Sequence, residues 1–213
     1  MLRFLTAGES HGPQLTTIVE GVPAGLPLDA GRDIDPQLRR RQGGHGRGKR
    51  QEIERDTARL TGGVRGGRTL GSPIAIVVEN RDWENWKGPM QIEAEGFTAK
   101  RVTRVRPGHA DLAGSIKYGF DDARNVLERA SARETAARVA AGAIARALLN
   151  AIGVSVRSYV QRIGEVRAPG DAGCGVDWDA VERSPVRTVD EETSQAMVAA
   201  IDAARERGDT LGG

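Results

Sequence analysis

The stretch "SARETAARVAAGAIARALLNAIG", Ser131 to Gly153, decides how the chain is built. Ala136, Val139, Ala140, Ala143 and Ala147 recur at the spacing of one helical face, with Ile144 and Leu148 beside them. Ser131 and Glu134 have capping-box spacing, and Gly153 is a plausible stop. A face so rich in alanine lets neighbouring backbone approach closely. The stretch therefore predicts a central, mostly buried helix, and the rest of the chain has to supply the surfaces around it.

Upstream, "QLTTIVEGVPAGLPLD" alternates Leu15, Thr17 and Val19, as a half-buried strand does before a Gly/Pro turn. "RFLTAGESHG" reads as a first strand ending in a polar turn. It has neither the long apolar region nor the cleavage site of a signal peptide. Pro73 to Val78 is a buried strand by its β-branched content, and Asp33 to Arg41 can be a short helix. Arg81 to Gly108 is irregular; its Trp83 and Trp86 pack on their own loop or meet a partner. Downstream, "VSVRSYVQRIGEV" has strand alternation. "DEETSQAMVAAIDAARERG" is a second amphipathic helix with Met197, Ile201 and Ala204 inward and Gly208 as its cap.

At 213 residues the chain can bury a sizeable core, with one domain as the default. Its 31 basic and 29 acidic residues nearly cancel, so positive charge is local. The densest run is "RRRQGGHGRGKR", Arg39 to Arg50, with six cations and four glycines in twelve residues. Such a patch suits a local anion site. Aromatic residues are 4%, too few to stack single-stranded bases, and neither a helix-turn-helix nor zinc-finger spacing occurs. A small polyanion therefore fits better than nucleic acid. "GGHGRG" and "GGVRGG" match neither a P-loop nor a dinucleotide fingerprint. The single cysteine, Cys174, allows no disulfide framework or zinc cluster and reads as a small loop residue; no metal ligands are expected. No 18-residue apolar run occurs, so no membrane span is expected, and a reducing cytoplasm is the simplest compartment.

Chemistry can reside in three places. "GESHG", Gly8 to Gly12, sets an acid, a hydroxyl and His11 between glycines after a strand. An imidazole there suits proton transfer, and equally a loop whose polar groups satisfy one another. His109, in "RVRPGHADLAG", follows the Pro107-Gly108 turn with Arg104 and Arg106 nearby; it can serve as an acid beside an anionic ligand, or be a solvated turn residue. Arg124, Arg129, Arg133 and Arg138 surround the start of the long helix, where free N–H groups and guanidinium forks suit phosphate and carboxylate. His45, in the basic run, is more weakly marked.

Taken together, "GESHG", "RRRQGGHGRGKR", "RPGHADLAGSIKYGFDDARNVLERASARETAARVAAGA" and "GDTLGG", in that order, resemble the chorismate synthase family over nearly the whole chain. The resemblance implies an α+β fold, a β-α-β sandwich with a helical layer between antiparallel sheets. Residues 1–213 are then a single partial domain, the first half of that fold, with the C-terminal part absent. It implies an FMN-dependent lyase of the shikimate pathway that turns 5-enolpyruvylshikimate 3-phosphate into chorismate by anti-1,4-elimination of phosphate, with the flavin reduced. A truncated, catalytically incomplete fragment of that enzyme is the alternative. His11 matches the histidine that acts on the leaving phosphate, and His109 the one that lies by the flavin. Arg41 and Arg47 match positions assigned to NADPH in members that reduce their own flavin. Arg129, Ala130 and Ser131 match the FMN-contacting segment; many relatives carry serine where Ala130 stands. Arg50, Arg106 and Arg133 match substrate-facing positions. Relatives are usually tetramers, so self-association is expected, with no nucleic-acid or membrane partner.

Overall fold

The computed structural model describes residues 1–47, 55–170 and 175–213. They fall into two compact units, Met1–Arg41 with Ile53–Val154, and Gln42–Glu52 with Ser155–Gly213. Arg50 and Cys174 lie outside the described residues.

The strands of the first unit are β1 (Arg3–Ala7), β2 (Gln14–Glu20), β3 (Ala58–Gly62), β4 (Val64–Arg65), β5 (Arg68–Thr69) and β6 (Ile74–Glu79). Four of them form an antiparallel sheet in the order β1-β2-β6-β3, and β4 pairs with β5 as a short ribbon. Helix α1 (Asp35–Gln42) follows a π-helical turn in which the Asp29 carboxylate accepts from the Arg32 N–H. Helices α2 (Asp111–Tyr118), α3 (Arg124–Leu127) and α4 (Glu134–Ala151) complete the unit.

Strand alternation and the alanine stripe meet as expected. Leu15, Thr17 and Val19 stand opposite Val78, Ile76 and Ile74, and all six side chains are buried. Over them lie Ala136, Ala137, Ala140, Ala141, Ala143 and Ile144 of α4. The helix comes close enough for the Thr17 hydroxyl to donate to the Ala137 carbonyl at 3.2 Å. Larger side chains on this stripe would hold the two layers apart. The opposite sheet face is open at Leu5, which is 76% exposed and pairs with Ile18.

The second unit holds the ribbon β7 (Arg162–Ile163) and β8 (Val166–Arg167), then α5 (Trp178–Arg183) and α6 (Glu191–Glu206). Asp177 and Asp190 cap α5 and α6 through their carboxylates, and Gly208 ends α6 with a φ of +69°. Met197 and Ala204 are buried as predicted.

Two sequence expectations change. Residues 154–160 do not form a strand: Val154 and Val156 are exposed, and no neighbouring strand pairs with them among the described residues. Alternation marks a strand only where a partner completes the ladder. Ser131 does not cap the long helix either. The helix starts at Glu134 with Arg133 in the N-cap position, because the Ser131 hydroxyl is turned to Ser10 and the Glu134 carboxylate to Thr6 and Arg138. The α+β class holds: one helical layer on an antiparallel sheet, without a second large sheet among the described residues.

Candidate active site

The first unit places "GESHG" in the turn between β1 and β2. Gly8 makes that turn with a φ of +104°, and a Cβ there would meet the Gln14 carbonyl at 2.4 Å. Only glycine fits without moving backbone. The turn presents Ser10 and His11 to residues 128–133, the approach to α4. Ser10 donates its backbone N–H to the Glu128 carbonyl at 2.9 Å, and Ser131 Oγ donates to Ser10 Oγ at 3.1 Å.

Glu128 is the hub. His11 donates its backbone N–H to Glu128 Oε2 at 2.9 Å, and its Nδ1 lies 2.9 and 2.8 Å from the two carboxylate oxygens. Arg124 donates to Oε1 at 2.6 Å. Burial opposes the charge of Glu128, but hydrogen bonds from the His11 ring and backbone and the Arg124 charge outweigh it. The carboxyl sits below its usual range. The Trp86 ring lies tilted on the imidazole, centroids 3.8 Å apart, with Lys100 and Arg124 over its own face.

Four more sequence-predicted residues meet here. Arg129 donates to the Thr6 carbonyl at 2.9 Å and to its hydroxyl at 2.6 Å. Arg133 is buried against Asp56 at 3.0 Å and donates to the Glu79 carbonyl. Arg41 donates to the Ala132 carbonyl and the Thr135 hydroxyl, both at 2.8 Å, and lies 3.7 Å from Asp56. Ala130 sits between Arg129 and Ser131, its N–H bonded to the Val126 carbonyl.

His109 and Arg106 form an adjoining cluster just before α2. His109 Nδ1 bonds the buried Asp111 carboxylate, and Arg106 grips the same carboxylate with Nε at 3.0 Å. The arginine charge beside His109 is thus balanced by a carboxylate. The Arg106 hydrogen bond, with help from its backbone N–H and the His109 ring, holds the Asp111 carboxyl down at about 2 against the effect of burial. Arg106 also feels the Glu128 charge, so the two histidine clusters lie within electrostatic reach. The packing of α2 on α3 supports this: a Cβ on Gly114 would come within 2.4 Å of Val126 Cγ1.

Arg47 is exposed and belongs to the second unit, as does His45, which pairs with Asp202 at 2.7 Å. That unit carries a cavity of about 580 Å³ lined by His45, Ile163, Ile201 and Leu211 among others. None of the first unit's site residues lines it.

The chorismate synthase family model matches residues 2–213. The chain belongs to the chorismate synthase family. It is 59% identical to the chorismate synthase of Moorella thermoacetica, covering 100% of this chain and 55% of that protein. It is 54% identical to that of Bacillus licheniformis, covering 100% and 56%. A crystal structure of chorismate synthase superposes with a TM-score of 0.78 at 41% identity, over 100% of this chain and 56% of the other. The chain spans about half the length of the curated relatives it matches. No helix among the described residues is long and apolar enough to cross a membrane.

The sequence pattern alone does not single out Glu128, Asp111 and Trp86. Glu128 stands four residues after Arg124, a spacing that flags a helical ion pair. Its partner His11 is 117 residues away, beyond the reach of any periodicity. Asp111, two residues after His109, was open to local inspection. Trp86 donates its ring N–H to Asp82 within its own loop and also covers the imidazole, a contact the loop sequence does not disclose.

Proposed function

We propose that this chain supplies the anion-binding, histidine-bearing half of an FMN-dependent chorismate synthase. The reaction is anti-1,4-elimination of phosphate from 5-enolpyruvylshikimate 3-phosphate. The convergence of Ser10 and His11 with Arg129, Ser131 and Arg133 ahead of α4 carries this reading. Around this point the arginines outnumber the carboxylates they pair with, which suits a ligand bearing two carboxylates and a phosphate. The half-exposed guanidiniums of Arg106 and Arg129 are donors that fit a flavin phosphate and an anionic substrate.

Under this reading the C3–O bond breaks with its electron pair leaving on the phosphate, the C6–H pair enters the new ring diene, and the C6 proton passes to a base supplied by the other half of the family's site. His11 delivers a proton from Nε2 to the departing phosphate, while the arginines stabilise its charge. Reduced FMN, when bound, supplies transient electron density. Arg129, Ala130 and Ser131 would hold FMN, with His109 beside it; Arg106 would face substrate, with Arg133, buried on Asp56, supporting the site from behind; the family resemblance gives Arg50 a substrate role and Arg41 and Arg47 an NADPH role. A cytoplasmic homotetramer belongs to the same proposal.

The test is an anaerobic titration with reduced FMN and substrate, following phosphate release and chorismate absorbance. Both appearing together supports an active lyase. Flavin and substrate binding without turnover supports the second reading, a truncated, catalytically incomplete fragment. Binding of neither ligand overturns the anion-site assignment.

A further inference from the structure

We propose that Glu128 is the positioning residue of His11, fixing the imidazole as its Nδ1–H tautomer. Both carboxylate oxygens lie within hydrogen-bond distance of Nδ1, at 2.9 and 2.8 Å. A lone pair on Nδ1 at that separation would face the lone pairs of an anion, so Nδ1 carries the hydrogen. The carboxylate cannot turn away. Its side chain is 2% exposed, Arg124 holds Oε1 at 2.6 Å, and the His11 backbone N–H holds Oε2. The main chain locks the same pair, with Ser10 N–H on the Glu128 carbonyl. Trp86 then limits tilt of the ring from its face. Backbone, carboxylate and indole thus constrain the imidazole in position, tautomer and plane.

With Nδ1 committed to Glu128, whatever His11 does toward a ligand it does through Nε2. That consequence rests on the role proposed for His11; the tautomer itself does not. A neutral imidazole with hydrogen on Nδ1 picks up a proton at Nε2 and delivers it from there. Glu128 then stabilises the imidazolium without accepting the proton.

The substitution that isolates this is Glu128→Gln. Arg124 and the His11 N–H each hold one carboxylate oxygen, and an amide offers an oxygen at only one of those two positions and NH₂ at the other. No anion is then left to hold the hydrogen on Nδ1, and the tautomer should shift toward Nε2–H. Nitrogen-15 NMR of the histidine rings reads this in the 213-residue chain without flavin or substrate, above the imidazole titration range. The His11 signal is assigned by its loss in His11→Gln. The expected result is Nδ1–H as the dominant form in the wild type and a minority form in Glu128→Gln, with amide dispersion unchanged. Glu128→Asp should retain Nδ1–H. A wild-type ring in the Nε2–H form overturns the proposal, as does Nδ1–H persisting unaltered in a folded Glu128→Gln. Should the glutamine variant not fold, the wild-type spectrum and Glu128→Asp decide between the same two answers. Failure to make chorismate would touch only the functional reading and leave the ring assignment standing.

Discussion

His11 and His109 are each held at Nδ1 by a buried carboxylate that an arginine also grips: His11 by Glu128 with Arg124, His109 by Asp111 with Arg106. The second arrangement has a pH signature. The folded Asp111 carboxyl, at about 2, lies below its unfolded value near 4, so its contribution is complete above about pH 4 and vanishes as pH falls toward 2. Solvent around the half-exposed Arg106 screens the pair. Asp111→Asn should therefore cost about 1–2 kcal/mol at neutral pH. Urea unfolding of both chains across pH 2–7 should show the difference shrinking in acid; a constant gap would refute the ion-pair origin. Gly8 gives a second residue-scale prediction. Gly8→Ala forces a Cβ onto the Gln14 carbonyl at positive φ and should destabilise the first unit by about 2–4 kcal/mol in the same assay.

Among the elements, α4 was readable because its stripe is periodic and its neighbours alternate. Leu15, Thr17 and Val19 name the buried face of β2 as plainly as Ala136, Ala140 and Ala143 name that of the helix. What escaped was anything set by a distant partner. Ser131 has a cap's spacing, but its hydroxyl goes to Ser10, 121 residues away. Residues 154–160 alternate without a strand to join among the described residues. The α4 stripe predicts a steric limit: Ala140→Leu should lose about 1–3 kcal/mol through overpacking against the sheet, although leucine forms helix well. At α6 the cap was legible and the structure keeps it. Asp190→Ala, which removes the acceptor 2.7 Å from the Thr193 N–H, should cost about 1 kcal/mol in thermal unfolding.

For the molecule as a whole, the main apolar core, from Leu15 to Ile144, lies in the first unit, whereas the second buries fewer large side chains, Val181 and Met197 among them. Stability should follow. Trp178 reports on the second unit, Trp83 and Trp86 on the first. Fluorescence of Trp178→Phe and of Trp83→Phe/Trp86→Phe variants in rising urea should give two midpoints, the second unit's lower; coincident transitions would show one cooperative fold. Motif order was enough to indicate the family from the sequence. The site was only partly legible, because its carboxylates act on residues far along the chain. That distance bears on biosynthesis. A ribosome adds roughly 5–20 residues per second, so the His11 turn emerges on the order of ten seconds before the glutamate 117 positions later. A nascent chain stalled ahead of that codon would carry the imidazole without the group that orients it.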